Sequence, residues 1–166
     1  MKILQRLFRF LKQGSYPKTL LIKGRTKLSS SAFQDDDKLF RAFQKDDLDE
    51  NENIRLETIK FPDISSNWSR FSVAKDVKFR KNGLKTDGCY SITVLVSRFK
   101  KIATPVHHPI SDCVYPNYAH VEIRVLYEGE DVLFEPPRGR KIKPKSKKLE
   151  YRQNLKDSLQ IELRSE

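Results

Sequence analysis

The sequence has few of the residues that commonly build catalytic or metal sites: two cysteines, three histidines and six glycines among 166 residues. Cys89 and Cys113 allow at most one disulfide. Because no secretory signal is evident, free thiols and a cytoplasmic location are expected. A glycine-rich phosphate loop and a serine-centred nucleophile motif are both absent, which argues against the nucleotide-binding and hydrolase classes that they mark.

Long apolar runs are also lacking. None approaches the ~18 to 20 residues of a spanning helix, so no transmembrane segment is expected. The apolar residues near the amino terminus are interrupted by Gln5, Arg6 and Arg9, unlike the continuous apolar region of a signal peptide. With 37% hydrophobic and 33% charged residues, the chain is typical of one small globular domain.

Positive charge is abundant and unevenly distributed, with a net charge of +11. Residues 1–34 carry eight cations and no acid, whereas residues 35–63 carry ten acids and five bases. Residues 138–148 carry seven cations and no acid. This asymmetry predicts a partner that carries phosphates, or a contact between the acidic segment and a basic end.

The hydrophobic pattern predicts strands between two terminal helices. Residues 118–128 alternate with period two, with apolar residues on one side and, apart from Leu126, polar residues on the other, and residues 90–96 alternate nearly as well, as half-buried strands do. Apolar residues recur at helical spacing in residues 1–13 and 149–163, although the end of the second segment also suits a strand. We therefore expect an α+β fold: a mostly antiparallel twisted sheet of about five or six strands with an amphipathic helix at each terminus.

Several segments are less strongly determined. Residues 38–43 suit either a strand or the first part of a helix, residues 54–61 resemble a strand, and residues 62–67 resemble a turn. Three prolines predict an irregular loop at residues 104–117. The expected organisation is a single domain with three parts: a basic helix and linker (1–34), an α+β core (35–137), and a basic arm with a C-terminal helix (138–166).

Two segments are candidates for nucleic-acid binding. Aromatic residues between Trp68 and Phe79 are interleaved with cations, as on platforms that stack single-stranded bases, although core packing explains the same rings. The second segment is the basic arm, which we expect to stay extended until phosphates neutralise it. The candidate contacts are Trp68, Arg70, Lys78, Arg80, Lys81, Arg138, Arg140, Lys141, Lys143, Lys145, Lys147 and Lys148.

The histidine-bearing stretch, residues 105–127, is the candidate for chemistry. His120, Glu122 and Arg124 share one face of the predicted strand and follow Asp112 in the preceding loop, so these four residues form a candidate catalytic set. A zinc or magnesium ion is the candidate cofactor. His107, His108, Cys113 and His120 have suitable ligand types for zinc, but their spacing is not that of paired zinc ligands.

Three functions remain open from the sequence. The first is a basic nucleic-acid-binding domain, DNA or RNA, within a larger assembly. The second is a metal-dependent nuclease or another phosphate-handling enzyme centred on His120 and Glu122, but Arg124 stands where such nucleases carry a lysine. The third is a protein-interaction module that uses the N-terminal amphipathic helix. On an exposed strand face, His120, Glu122 and Arg124 also form an ordinary polar row without any catalytic role.

Overall fold

The computed structural model describes residues 16–79, 86–111 and 115–164, and the amphipathic helix predicted at residues 1–13 lies outside them. The described chain has an α+β fold, which confirms the predicted class. Its open sheet has six strands in the order β4-β5-β2-β1-β3-β6, and every neighbouring pair is antiparallel. The strands are β1 Lys38–Phe43, β2 Ile64–Trp68, β3 Gly88–Thr93, β4 Ala103–His107, β5 His120–Val125 and β6 Gln160–Arg164.

Two short helices accompany the sheet in the described ranges, α1 (Val94–Ser97) and α2 (Lys145–Ser158). Tyr151 and Leu155 of α2 lie one turn apart on the same side of the helix and are buried. They pack against the apolar face of the sheet, where Val121, Ile123 and Val125 of β5 belong to the same core cluster. Neither helix is long and apolar enough to cross a membrane.

The opposite face of the sheet is polar near its centre. In β5 the side chains that alternate with the apolar set are His120, Glu122 and Arg124, and Asn67 of β2 lies opposite His120. The 3₁₀ turn Ala74–Lys78 covers another part of this face, where Val77 packs on Phe40 and Cys89. The sheet therefore separates an apolar core from a partly covered polar surface.

Two predictions about residues 54–67 were wrong. The expected strand at residues 54–61 is irregular and contains the 3₁₀ turn Leu56–Thr58. Ile54 and Ile59 are its buried anchors, and their five-residue separation is incompatible with a regular strand that buries one face. The expected turn at residues 62–67 overlaps β2, a central strand whose polar residues belong to the polar face.

The predicted loop at residues 104–117 begins too early. β4 includes Pro105, which is tolerated because β4 is an edge strand and needs no ladder partner on its outer side. The connection to β5 is a hairpin, closed by paired hydrogen bonds between Ile110 and Asn117. This hairpin brings His108 next to β5.

The other strand boundaries follow from local interactions. β3 ends at Thr93 because that side chain accepts a hydrogen bond from the Val96 amide and caps α1, so residues 94–96 are not a strand. At the other end of β3, a Cβ on Gly88 would lie 2.2 Å from the Phe43 ring. Both alternatives for the C-terminal segment occur, since α2 is followed by β6. The arm is also shorter than predicted, because α2 begins at Lys145.

Candidate functional site

The polar row of β5 is buried, not exposed. Glu122 is only 2% exposed, and His120 and Arg124 are buried beside it. The sequence indicated that these three residues share one face of a strand. The alternative of a polar row on an exposed face is wrong, because all three side chains are buried. The hairpin at His108 and the chain around Arg138 cover this part of the sheet.

Two arginines hold the Glu122 carboxylate. Oε2 accepts hydrogen bonds from Arg124 Nε at 3.0 Å and from Arg124 Nη2 at 2.8 Å. Oε1 lies 3.0 Å from Nη2 of Arg138, whose side chain is 60% exposed. Arg124 also donates to the Pro136 carbonyl at 3.1 Å. One buried anion is therefore shared by an internal cation and an external one, and the cluster carries a surplus positive charge.

His108 and His120 present opposite hydrogen-bonding groups. Arg124 Nη2 lies 3.2 Å from His108 Nδ1; because arginine only donates, Nδ1 must accept and the His108 proton is on Nε2. His120 Nδ1 lies 2.7 Å from the His108 carbonyl oxygen, which only accepts, so His120 carries its proton on Nδ1. The Nε2 atom of neutral His120 is consequently an acceptor.

Burial keeps both of these histidines neutral. Desolvation lowers the pKa of His120 from 6.5 to about 4, against the opposing effects of the His108 carbonyl and the Glu122 carboxylate. Desolvation also lowers the pKa of His108, and the charges of Arg124 and Arg138 act in the same direction. The donor and acceptor assignments therefore hold near neutral pH.

Both histidines line an open cavity of about 760 Å³ over the polar face. Three cations also contribute to its walls: Arg41, Lys60 and Arg138. Arg41 reaches the cavity where β1 and β2 stop pairing, and its Nη1 donates to the Ser65 carbonyl at 2.8 Å. Asp63 and Glu122 are the acids of the lining. The cavity thus combines cations with a neutral donor and a neutral acceptor, a suitable environment for an anion that also carries a hydroxyl group.

His107 is separated from the other predicted metal ligands that the structure describes, His108 and His120. His107 lies on the apolar face, where Nδ1 accepts from the Leu28 amide at 2.9 Å and Nε2 donates to the Tyr118 carbonyl at 2.6 Å. Both of its ring nitrogens are occupied by protein groups. Cys113 lies outside the described residues, as does Asp112. Among the residues that the structure describes, no group of three or more histidine, cysteine or acidic side chains could hold a metal ion.

The aromatic platform predicted near Trp68 is largely interior. Trp68 is fully buried, with its ring stacked on Phe33 at a centroid distance of 4.0 Å. In this arrangement core packing accounts for the ring, and a base cannot stack on it. Arg70 lies over the Trp68 and Phe71 rings, and Lys78 lies over the ring of Phe79. Arg80 and Lys81 lie outside the described residues.

The basic arm divides into paired and unpaired cations. Arg138 binds Glu122, and Arg140 binds Glu130 while stacking over Tyr127. The remaining members make no ion pair with any residue that the structure describes, and all except the half-buried Lys148 are exposed: Lys141, Lys143, Lys145, Lys147 and Lys148.

Some lining residues gave no recognisable signal in the sequence. Lys60 lies in a segment that resembles a strand, and Asn67 lies in a stretch that resembles a turn. Asn67 accepts a hydrogen bond from Asn117 Nδ2 at 2.7 Å, which joins β2 to the hairpin before β5. Only the pairing of β2 with β5 makes Asn67 and His120 neighbours, and no local pattern specifies that pairing.

The fold and the cavity define a class of protein: an open antiparallel α+β sheet with a cationic cavity on its polar face. No protein-family model, curated protein or solved structure matches the chain.

Proposed function

We propose that this protein binds the phosphate backbone of a nucleic acid, using the lysines near the beginning of α2 together with the cavity beside Arg138. The observation that supports this most strongly is the group of five lysines between residues 141 and 148 that make no ion pair with any described residue. Unpaired lysines also occur elsewhere in the described chain, for example Lys23 and Lys75, but residues 141–148 hold five lysines within eight positions and no acid. The unpaired lysines are therefore a local surplus.

The first turn of α2 makes this surplus energetically unfavourable in the free protein. It contains no acid, although Lys145, Lys147 and Lys148 lie at or near the positive end of the helix dipole. A cation there costs about 0.3 to 1 kcal/mol, whereas an anion is favoured by a similar amount. A bound phosphate would relieve this repulsion, which is a physical reason for expecting an anionic partner.

The chain connects these lysines to the cavity. Arg138 lines the cavity, and the next residue, Gly139, donates its amide to Asp63 Oδ2 at 2.8 Å, directly before β2. Ile142 then enters the apolar core on the other side of the sheet. Residues 138–148 therefore pass around the end of β2 and carry cations from the cavity to α2. A flexible polyanion such as a single strand could follow this path.

The proposed mechanism is electrostatic attachment. Each phosphate that is neutralised releases counterions, so the logarithm of the binding constant falls by about 0.7 per phosphate contact for single strands with each log unit of salt. Contacts to phosphates do not distinguish bases, so little sequence specificity is expected. Trp68 contributes no stacking in this proposal because its ring is buried.

The experiment is a titration of short, fluorescently labelled single-stranded and double-stranded RNA and DNA at several salt concentrations. Fluorescence anisotropy gives the affinity and its salt slope. The variant K145Q/K147Q/K148Q should bind more weakly and show a slope reduced by about 2, since up to three phosphate contacts are lost.

The matched control is K23Q/K45Q/K75Q, which removes the same charge from exposed lysines elsewhere. It should retain most of the affinity. An equal loss in both triple variants would show that only net charge matters, and salt-independent binding of the native protein would contradict the electrostatic mechanism.

The cavity favours a second candidate function, a phosphate-handling enzyme centred on His120 and Glu122. His120 Nε2 is an acceptor beside three cations, so it could take a proton from an attacking hydroxyl or water. The Glu122 oxygens are both bound by guanidinium groups, which favours an orienting role for that carboxylate. Incubation of labelled RNA and DNA with and without magnesium tests this function, with His120→Ala as the inactive comparison; intact polymers under every condition would contradict it.

A further inference from the structure

The arrangement of His108 and His120 restricts the kind of ligand that fits the cavity. A phosphate oxygen accepts hydrogen bonds and, when ionised, cannot donate one. It suits the cations and the Nε2–H group of His108, but it cannot satisfy the Nε2 acceptor of His120. A ligand that fits both histidines must therefore present a donor close to its phosphate.

A hydroxyl group meets this requirement because it donates one hydrogen bond and accepts others. The rings of His108 and His120 have centroids 6.0 Å apart. Two hydrogen bonds that meet at one hydroxyl oxygen span about 5 Å between the two ring nitrogens, and each nitrogen lies about 1 Å from its own ring centroid. A hydroxyl between the two rings is therefore compatible with the distance between the centroids. In nucleic acids, the 2′-hydroxyl of ribose lies next to the phosphate and is absent from DNA.

The two histidines are held in place by groups on several elements. Arg124 of β5 binds His108, and Glu122 fixes Arg124 from the same strand. Arg138, from the segment after β5, is the exposed cation of the cluster. The described charged groups that face His120 are therefore Glu122 and Arg138, with His108 as the neighbouring titratable ring. Neither histidine needs to move or change protonation state to bind a hydroxyl.

We infer that the cavity recognises ribose, with the 2′-hydroxyl donating to His120 Nε2 and accepting from His108 Nε2–H while Arg138 contacts the adjacent phosphate. This inference rests on the proposed binding of a nucleic-acid backbone and specifies its chemical class as RNA. The lysines of the arm and of α2 supply sugar-independent attraction, and the histidine pair supplies the discrimination.

The experiment compares single strands of one sequence with ribose, deoxyribose or 2′-O-methylribose, by anisotropy in the same buffer near neutral pH. The unmodified protein should bind RNA about tenfold more tightly than DNA, the size expected for two well-formed hydrogen bonds. The 2′-O-methyl strand should bind like DNA, because it accepts but cannot donate. This comparison needs no substitution and is therefore independent of whether a cavity variant folds.

His120→Ala should reduce the ratio of RNA affinity to DNA affinity to about one, because the acceptor for the 2′-hydroxyl is removed. Loss of affinity for both polymers by the same factor would contradict the assigned role of His120. Equal binding of RNA and DNA by the unmodified protein would overturn the ribose inference and leave the phosphate-binding proposal intact. Binding of neither polymer would overturn both. The inference would also be overturned if the 2′-O-methyl strand bound as tightly as RNA, or if His120→Ala still bound RNA more tightly than DNA. In either case the preference for RNA would not come from a 2′-hydroxyl bound to His120.

Discussion

Glu122 is a buried carboxylate, and its negative charge is stabilised by ion pairs with Arg124 and Arg138. Replacing Glu122 with Gln removes the charge that compensates buried Arg124. We expect the free energy of unfolding to fall by about 3 kcal/mol, since breaking one side of a buried pair leaves an uncompensated charge. Urea denaturation measures this change. The control is Glu52→Gln, which breaks an exposed pair with Arg164 and should cost less than about 1 kcal/mol; similar costs would contradict the buried-pair interpretation.

The pKa of His120 predicts a specific dependence of stability on pH. The pKa in the folded protein is about 4, whereas the ordinary value is 6.5. Between these values the unfolded chain binds more protons, so the stability contributed by neutral His120 is complete above pH 6.5 and is lost as the pH falls towards 4. The loss is on the order of 3 kcal/mol.

Chemical denaturation at a series of pH values checks this prediction, with His120→Gln as the comparison. The variant should show a shallower decrease between neutral and acidic pH, because glutamine does not titrate. Carboxylates contribute to the decrease in both proteins, so the difference between the two curves is the informative quantity. Parallel curves would show that His120 titrates normally.

At the scale of single elements, the lysines in the first turn of α2 lower the stability of the helix and are also proposed to bind phosphates. Replacing Lys147 and Lys148 with Gln should raise the free energy of unfolding by about 0.3 to 1 kcal/mol per residue, because cations repel the positive end of the helix dipole. The same variant should bind nucleic acid less well. The matched control is Lys156→Gln in the last turn, where a cation is favourable and its removal should lower stability. Thermal or urea unfolding and anisotropy together separate the two effects.

The elements also show what local patterns can predict. The alternation around His120, Glu122 and Arg124 predicted their common face because period-two patterning needs no information from the rest of the chain. β2 was not predicted, since Ser65, Ser66 and Asn67 resemble a turn until the neighbouring strands are known. Strand preference depends on such neighbours more than on intrinsic backbone preference.

At the candidate site, too, local sequence patterns predicted some features, whereas others depend on contacts between separate segments. Its strand residues were predictable, whereas the contacts of Arg138 with Glu122 and of His108 with Arg124 join segments that are distant in the sequence. The burial of the row was also unpredictable, because it depends on how the hairpin after β4 folds over β5. Hydrophobic periodicity assigns a face to a residue but does not identify what will cover that face.

At the scale of the whole molecule, the net charge of +11 should make stability and binding respond oppositely to salt. Unpaired lysines repel one another, and salt screens that repulsion, so raising the ionic strength from about 50 to 200 mM should increase the unfolding midpoint in urea. Nucleic-acid affinity should fall over the same range, because counterions released on binding gain less entropy when the surrounding salt is more concentrated. The variant K145Q/K147Q/K148Q should show a smaller change in both quantities, whereas K23Q/K45Q/K75Q should reduce mainly the stability response. If salt lowered the stability of the native protein, attractive ion pairs would dominate its electrostatics, and the repulsion between lysines from which this prediction is argued would be contradicted.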